Sequence, residues 1–155
     1  MHPRACELID TLELKSHPEG GFYRRMFTSE QRDTAGRSAA SAILFLLVGG
    51  AVSRWHRVDA DEVWSYHEGS PLELLIAETP ERVRREILGT AEASSQPQRA
   101  VPAHAWQAAR CLGDYTLVGC AVAPAFDFAG FTLLADHAAL QREWSLLLAT
   151  RPDLL

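Results

Sequence analysis

No apolar run in this 155-residue chain reaches the ~18 residues that mark a membrane-spanning helix. The longest, 39–52, is interrupted by Ser41 and by the Gly49-Gly50 pair. Cysteine is scarce: Cys6, Cys111 and Cys120 are an odd number without CxxC or paired spacing. That excludes a disulfide framework or a zinc knuckle, and it suits a reducing cytosol in which each thiol is a small apolar filler. Basic charge is in deficit, with 15 Lys+Arg against 20 Asp+Glu and a net charge of −5. The basic stripe that tracks a phosphate backbone is therefore missing, and nucleic acid is not an expected partner. The first residues, Met-His-Pro-Arg-Ala-Cys-Glu-Leu, have no apolar signal core, so a cytoplasmic protein is expected, with no membrane partner. Internal repeats and low-complexity tracts are absent too, and turn residues are spread through the whole length.

What is present is enough apolar sequence, 47%, for one domain over 1–155. Leu8, Ile9 and Leu12 recur at helical spacing within 5–14. Leu140, Trp144, Leu147 and Leu148 do the same within a helix predicted over about 136–150, with Asp136 as its N-cap. Between them the pattern shortens to strands predicted at 21–28, 38–48, 53–58, 62–67, 72–78, 84–88, 99–101, 105–110, 115–123 and 130–135. Many short strands flanked by helices, and not interleaved with them, point to an all-β sandwich or barrel. Segments 39–48 and 115–123 are apolar on both faces, as central strands require. Such strands suit a jelly roll whose core, about 20–135, leaves a ligand cavity between two sheets. The run from Glu81 to Glu86 intersperses acids with arginines and reads as a solvated strand.

The densest polar and aromatic cluster is 53–69. At period two, Arg54, His56 and Val58 share one face, and Glu62, Trp64 and Tyr66 share a face of the next strand, joined by an Asp59-Ala60-Asp61 turn. If those faces point inward, His56 and Glu62 meet in an apolar pocket beside two aromatic rings. His67 and Trp55 have the opposite parity and point outward. His67 then reads as structural or interfacial, and Trp55 as covered by the other sheet edge or by a second subunit. Glu19-Gly20-Gly21 reads as a tight turn, since paired glycines supply positive φ cheaply. Tyr23 and Arg25 alternate with Phe22, Arg24 and Met26, which brings one of the two arginines to the cavity mouth.

Gly50, His56, Glu62 and Gly69 reproduce every interval of G-x5-H-x-H-x3-E-x6-G, and with this the sequence resembles the cupin superfamily. Val58 stands where the second histidine belongs. The second cupin motif is present in outline: Gln107 takes its histidine position, Cys111 its asparagine, His104 its second glycine and Gln96 its first. His17-Pro18-Glu19-Gly20-Gly21-Phe22-Tyr23-Arg24, Trp55-His56-Arg57, Asp61-Glu62-Val63-Trp64 and 112–128 are further similar to the small single-domain cupins of unknown function described as predicted sugar epimerases. The resemblance implies a cupin jelly-roll β-barrel (double-stranded β-helix) with helices at both ends, assembled as a homodimer.

A typical cupin metal site takes three histidines and a glutamate, which suit Fe, Mn, Ni or Zn. Here His56 and Glu62 remain, so a metal-free site is expected. If a divalent transition metal were held, its ligands would be His56, Glu62 and Gln107. By resemblance to the metal-free jelly-roll epimerases, His56 is the candidate general base, Glu62 orients it or trades protons with it, and Tyr66 or Tyr23 donates from the opposite face. Tyr23, Arg24, Arg54, Trp64 and Gln107 complete the candidate ligand-binding set. The function these residues suggest is isomerase or epimerase chemistry on a carbohydrate-like small molecule. A metal-dependent lyase or dioxygenase and a non-catalytic sensor remain as alternatives, and His56 with Glu62 as a self-satisfied buried pair is the plain structural one.

Overall fold

The computed structural model describes residues 1–155, the side chain of Thr150 excepted. Helix α1 (Pro3–Thr11) leads into a short strand β1 (Lys15–Ser16) and its partner β2 (Phe22–Thr28), which continues into β3 (Ser41–Val48). Then follow β4 (Val52–Val58), β5 (Asp61–Gly69), β6 (Leu72–Thr79), β7 (Arg82–Leu88), β8 (Gln98–Val101), β9 (Trp106–Cys111), β10 (Tyr115–Ala123) and β11 (Phe131–Leu133). Helices α2 (Ala138–Glu143) and α3 (Ser145–Thr150) close the chain.

The strands form two antiparallel sheets, one of six in the order β1-β2-β3-β10-β5-β8 and one of five in the order β11-β4-β9-β6-β7. Alternation along each strand sends one set of side chains between the sheets. Phe45, Leu47, Trp64 and Val118 from the first sheet meet Leu72, Leu74, Ile76 and Ala109 from the second in a shared core. This is the jelly roll expected from the strand pattern.

The outer faces are covered by the chain's two ends. Helix α1 lays Ala5 and Leu8 on Leu46 and Leu117 of the six-stranded sheet. The C-terminal segment packs Trp144, Leu147 and Leu154 over Trp55, Leu75, Trp106 and Ala108 of the other. Trp55 is thus fully buried under its own chain, and not under a sheet edge or a second subunit as its parity suggested. Glu73, buried on this side, takes Arg110 at 2.7 Å and Arg151 at 2.9 Å, together with Arg85, tying the C-terminus down.

Three local expectations are corrected. The C-terminal helix is two short helices that meet at Trp144, and its N-cap is His137 without a side-chain bond, because Asp136 ends a preceding 3-10 turn. Strand β1 was not anticipated, since two residues carry no periodicity. The 59–61 turn joins no hairpin: β4 and β5 lie in opposite sheets, so the chain crosses the barrel there.

Candidate active site

At one end of the barrel the core opens into a small cavity of about 40 Å³, walled by His17, Glu19, Tyr23, His56 and Glu62 and by Phe126 at its rim. Because β4 and β5 face each other across the barrel, His56 and Glu62 enter from opposite walls. Both are buried, at 2% and 7% exposure.

A one-residue bulge decides what β4 contributes. Ser53 pairs with Ala109 and His56 with Gln107, so three steps on β4 oppose two on β9. Strict alternation would place Arg54 beside His56; the bulge puts Ser53 there instead and turns Arg54 outward to the Pro18 carbonyl. The Arg54 amide donates to the Glu19 carbonyl at 2.9 Å, which satisfies a backbone group within the bulge. Arg54 is therefore no part of the cavity wall.

That contact belongs to the 17–21 loop, which the glycines press against β4. Gly20 has φ of +113°, and a Cβ on it would lie 2.1 Å from the Val52 carbonyl oxygen. Glu19 is driven inward as a result. Its Oε1 accepts from the Ser53 hydroxyl at 2.8 Å, and its Oε2 lies 3.2 Å from His56 Nε2 and 3.5 Å from His17 Nδ1. The direct carboxyl partner of His56 is thus Glu19, which sequence reasoning treated as a turn residue. Its signal was present in the His-Pro-Glu-Gly-Gly string, an acid beside paired glycines, but only the fold brings it to the bulge.

The chemistry of these bonds fixes proton positions. His56 Nδ1 lies 2.7 Å from the Arg54 carbonyl oxygen, an acceptor only, so Nδ1 carries a proton and Nε2 faces Glu19. Burial pushes His56 and His17 down and Glu19 and Glu62 up, each toward its neutral form. The charges of His56 and Glu62 act on each other in the opposing sense. Glu19 Oε2 and His56 Nε2, 3.2 Å apart, stand where a single proton between them would leave the pair neutral.

Glu62 Oε2 accepts from Gln107 Nε2 at 2.6 Å, and the Cys120 thiol also hydrogen-bonds to the Glu62 carboxyl. Burial pushes that thiol well up. Gln107 Oε1 accepts the Trp64 indole N–H at 3.0 Å. Trp64 and Gln107 thus support Glu62 from behind and do not border the cavity, which corrects their expected ligand-binding roles. Tyr66 is corrected as well. It shares parity with Glu62 but stands four residues further along β5, roughly 13 Å at strand rise, and its hydroxyl donates to the Gly69 carbonyl at 2.6 Å. Arg24 points to the outer side, bonded to the Leu12 carbonyl and to Glu13 at 3.1 Å, while Arg25 reaches the mouth. Tyr23 lines the cavity as expected. His67 is outward and exposed over Gly119, and His104 is exposed with φ of +67° at the position where the second motif has glycine.

The residues do not fit a cupin metal. Val58, buried at 4% exposure, offers no donor in the second histidine position. The Trp64 N–H claims the Gln107 oxygen, so the face that Gln107 presents to Glu62 is an NH2 with no ligand lone pair. His56 Nε2, the ring nitrogen left to coordinate, is turned to Glu19 Oε2 at 3.2 Å. Among the described residues no group of three or more His, Cys, Asp or Glu side chains is placed to hold a metal ion.

A family model described as Cupin superfamily (DUF985) matches residues 6–134. A solved structure from Shewanella oneidensis is 36% identical, covers 96% of this chain and 94% of its own, and superimposes with a TM-score of 0.87. A hypothetical protein from Leishmania major is 29% identical over 96% and 93%, with a TM-score of 0.78. The oxalate decarboxylase of Bacillus subtilis is 14% identical over 90% of this chain and 37% of its own, TM-score 0.62, a likeness of fold alone. No curated protein matches at a significant level. With a family match over most of its length, and with the first cupin motif's His56 and Glu62 facing each other inside a jelly roll, the chain belongs to the cupin superfamily.

Proposed function

We propose that this cupin is a metal-independent isomerase or epimerase that moves a proton on a small, carbohydrate-like ligand in the barrel cavity. One observation carries the reading: a histidine and two carboxyl groups, all buried, converge on one small cavity, with Glu19 Oε2 3.2 Å from His56 Nε2 and Glu62 opposite. Environments that push acids up and a base down assign acid and base roles near neutral pH.

In the step we envisage, the C–H bond next to a ligand carbonyl breaks and its proton passes to the Glu19–His56 pair, which already holds one. The bonding electrons move to the carbonyl oxygen, which takes the proton of Glu62, leaving an enediol. The imidazolium and the Glu62 carboxylate so created face each other across the cavity. Return of the proton to the other face of the same carbon, with the new O–H proton going back to Glu62, gives an epimer; its delivery to the former carbonyl carbon, with Glu62 taking the proton of the other enediol hydroxyl, gives an isomer.

The test is deuterium uptake from ²H₂O into a panel of sugars and sugar acids, followed by NMR. The wild-type protein should label at least one compound at carbon. His56→Ala and Glu19→Gln should each lower that rate by a hundredfold or more, in the range of a lost acid–base group (about 10²–10⁴). Labelling that survives both substitutions, or that requires added metal, would sink the reading.

A further inference from the structure

We infer that the ligand of this cavity is a small hydroxy- or keto-carboxylic acid whose carboxylate docks on the Arg25 guanidinium and the Tyr23 hydroxyl at the mouth. The inference rests on the proposed proton transfer for the interior of the site, and it adds the class of molecule that is held there.

Besides Arg25, the arginines of the adjoining clefts are already engaged, Arg32 donating to the Gly36 carbonyl at 2.8 Å. Arg24 pairs with Glu13 at 3.1 Å, and Arg37 makes a two-pronged pair with Asp59 at 2.8 and 2.9 Å. Arg25 has no acidic partner among the described residues. Its guanidinium rests over the Phe126 ring, 5.8 Å from the centroid, which holds it at the rim with its donors available. Tyr23 precedes it by two residues on the inner face of β2 and packs edge-on against the His17 ring at 4.6 Å. Among the described residues no hydrogen bond engages the Tyr23 hydroxyl. Two side chains two residues apart on a strand stand roughly 7 Å apart at their Cα atoms. That spacing lets a planar fork and a hydroxyl converge on one oxyanion between them.

The chemistry favours carboxylate over phosphate. One guanidinium matches the two oxygens of a carboxylate in its plane, and among the described residues no second lysine or arginine lines the cavity beside Arg25 to meet a dianion. The position also suits an anion at the rim only. Glu19 and Glu62 occupy the interior, so a carboxylate placed deeper would meet two acids, while the neutral carbonyl end of the same ligand would not. Size agrees. About 40 Å³ holds on the order of three waters, far below the roughly 300 Å³ of an ordinary drug-sized site, so a few heavy atoms fill the interior and a nucleotide sugar does not.

The experiment is isothermal titration of the wild-type protein with D-glycerate, pyruvate and D-glucuronate, each against its uncharged counterpart glycerol, acetone or D-glucose, and with glycerol 3-phosphate as the phosphate arm. At least one acid should bind and its counterpart should not. Arg25→Gln should weaken that binding about tenfold to a hundredfold, the size of a charge-assisted contact, Tyr23→Phe should weaken it severalfold, and Arg24→Gln should leave it unchanged. Failure of every acid to bind, equal binding by Arg25→Gln, or tighter binding of glycerol 3-phosphate than of the acids would overturn the inference. The isotope-exchange readout separates the two readings. Acids bound through Arg25 without any carbon exchange would leave this inference standing and remove the enzymatic one. Exchange on a neutral carbonyl compound, indifferent to Arg25→Gln, would do the reverse.

Discussion

The Trp64 indole N–H donates to Gln107 Oε1 at 3.0 Å, and this single bond determines which end of the Gln107 amide meets Glu62. An indole can only donate, so the oxygen turns to it and the NH2 turns to the carboxyl. The position that would carry a histidine ligand becomes a donor to Glu62.

Replacing Trp64 by Phe keeps the ring in the core but leaves the Gln107 oxygen buried without a partner. The expected cost is about 1–3 kcal/mol, the range for an orphaned buried acceptor. Denaturant unfolding measures it, and a change close to zero would mean that the amide is not held by Trp64.

Restoring the missing imidazoles should restore metal chemistry. The double substitution Val58→His with Gln107→His supplies the donors that the site lacks beside His56 and Glu62. The variant should retain nickel, manganese or zinc near stoichiometry through gel filtration, as read by elemental analysis, while wild-type protein treated alongside should not. Equal metal in both proteins would contradict the donor-set argument.

Stability should respond to pH through Glu62. Burial holds its carboxyl above the ordinary 4.5, with His56 pulling the other way. As pH rises past that ordinary value the unfolded chain releases a proton that the folded chain keeps, so wild-type stability falls on this account. Glu62→Gln removes the titration. Relative to wild type, the variant should gain by up to about 1.4 kcal/mol per pH unit across the window above 4.5 in which folded Glu62 stays protonated. Parallel stability curves for the two proteins would show that Glu62 does not titrate differently in the fold.

The C-terminal cover should matter as core does. Leu147 is fully buried on the outer face of the five-stranded sheet with Trp55 and Trp106. Leu147→Ala should cost about 2–5 kcal/mol, visible in thermal unfolding, and a loss below about 1 kcal/mol would mean that the helices cover the sheet only loosely.

Much of the architecture was legible because its signals are local. Short stretches between turn residues marked all ten longer strands, two-sided apolar runs marked β3 and β10 as central, and the motif spacing named His56 and Glu62. What escaped depends on departures from regular alternation and on distant packing. The β4 bulge turned Ser53, in place of Arg54, toward Glu19, and no periodic reading registers an extra residue. Glu19 became the partner of His56 only because a glycine-bearing loop lies against that bulge. Tyr66 had the right face and the wrong height, since parity gives direction and says nothing of depth along a barrel. The outward ring of Trp55 found its cover nearly a hundred residues away in the chain, a separation no window spans.

The extra residue between Ser53 and His56 also changes what kinds of mutation can alter this site. A substitution there trades one side chain for another, but the loss of one residue would put the strand back in phase, swinging Trp55 or Arg54 toward the Glu19 carboxyl while His56 either slid along the ladder or left it. The Glu19–His56 contact therefore depends on strand length as well as on the side chains around it, and is exposed to a length change of one.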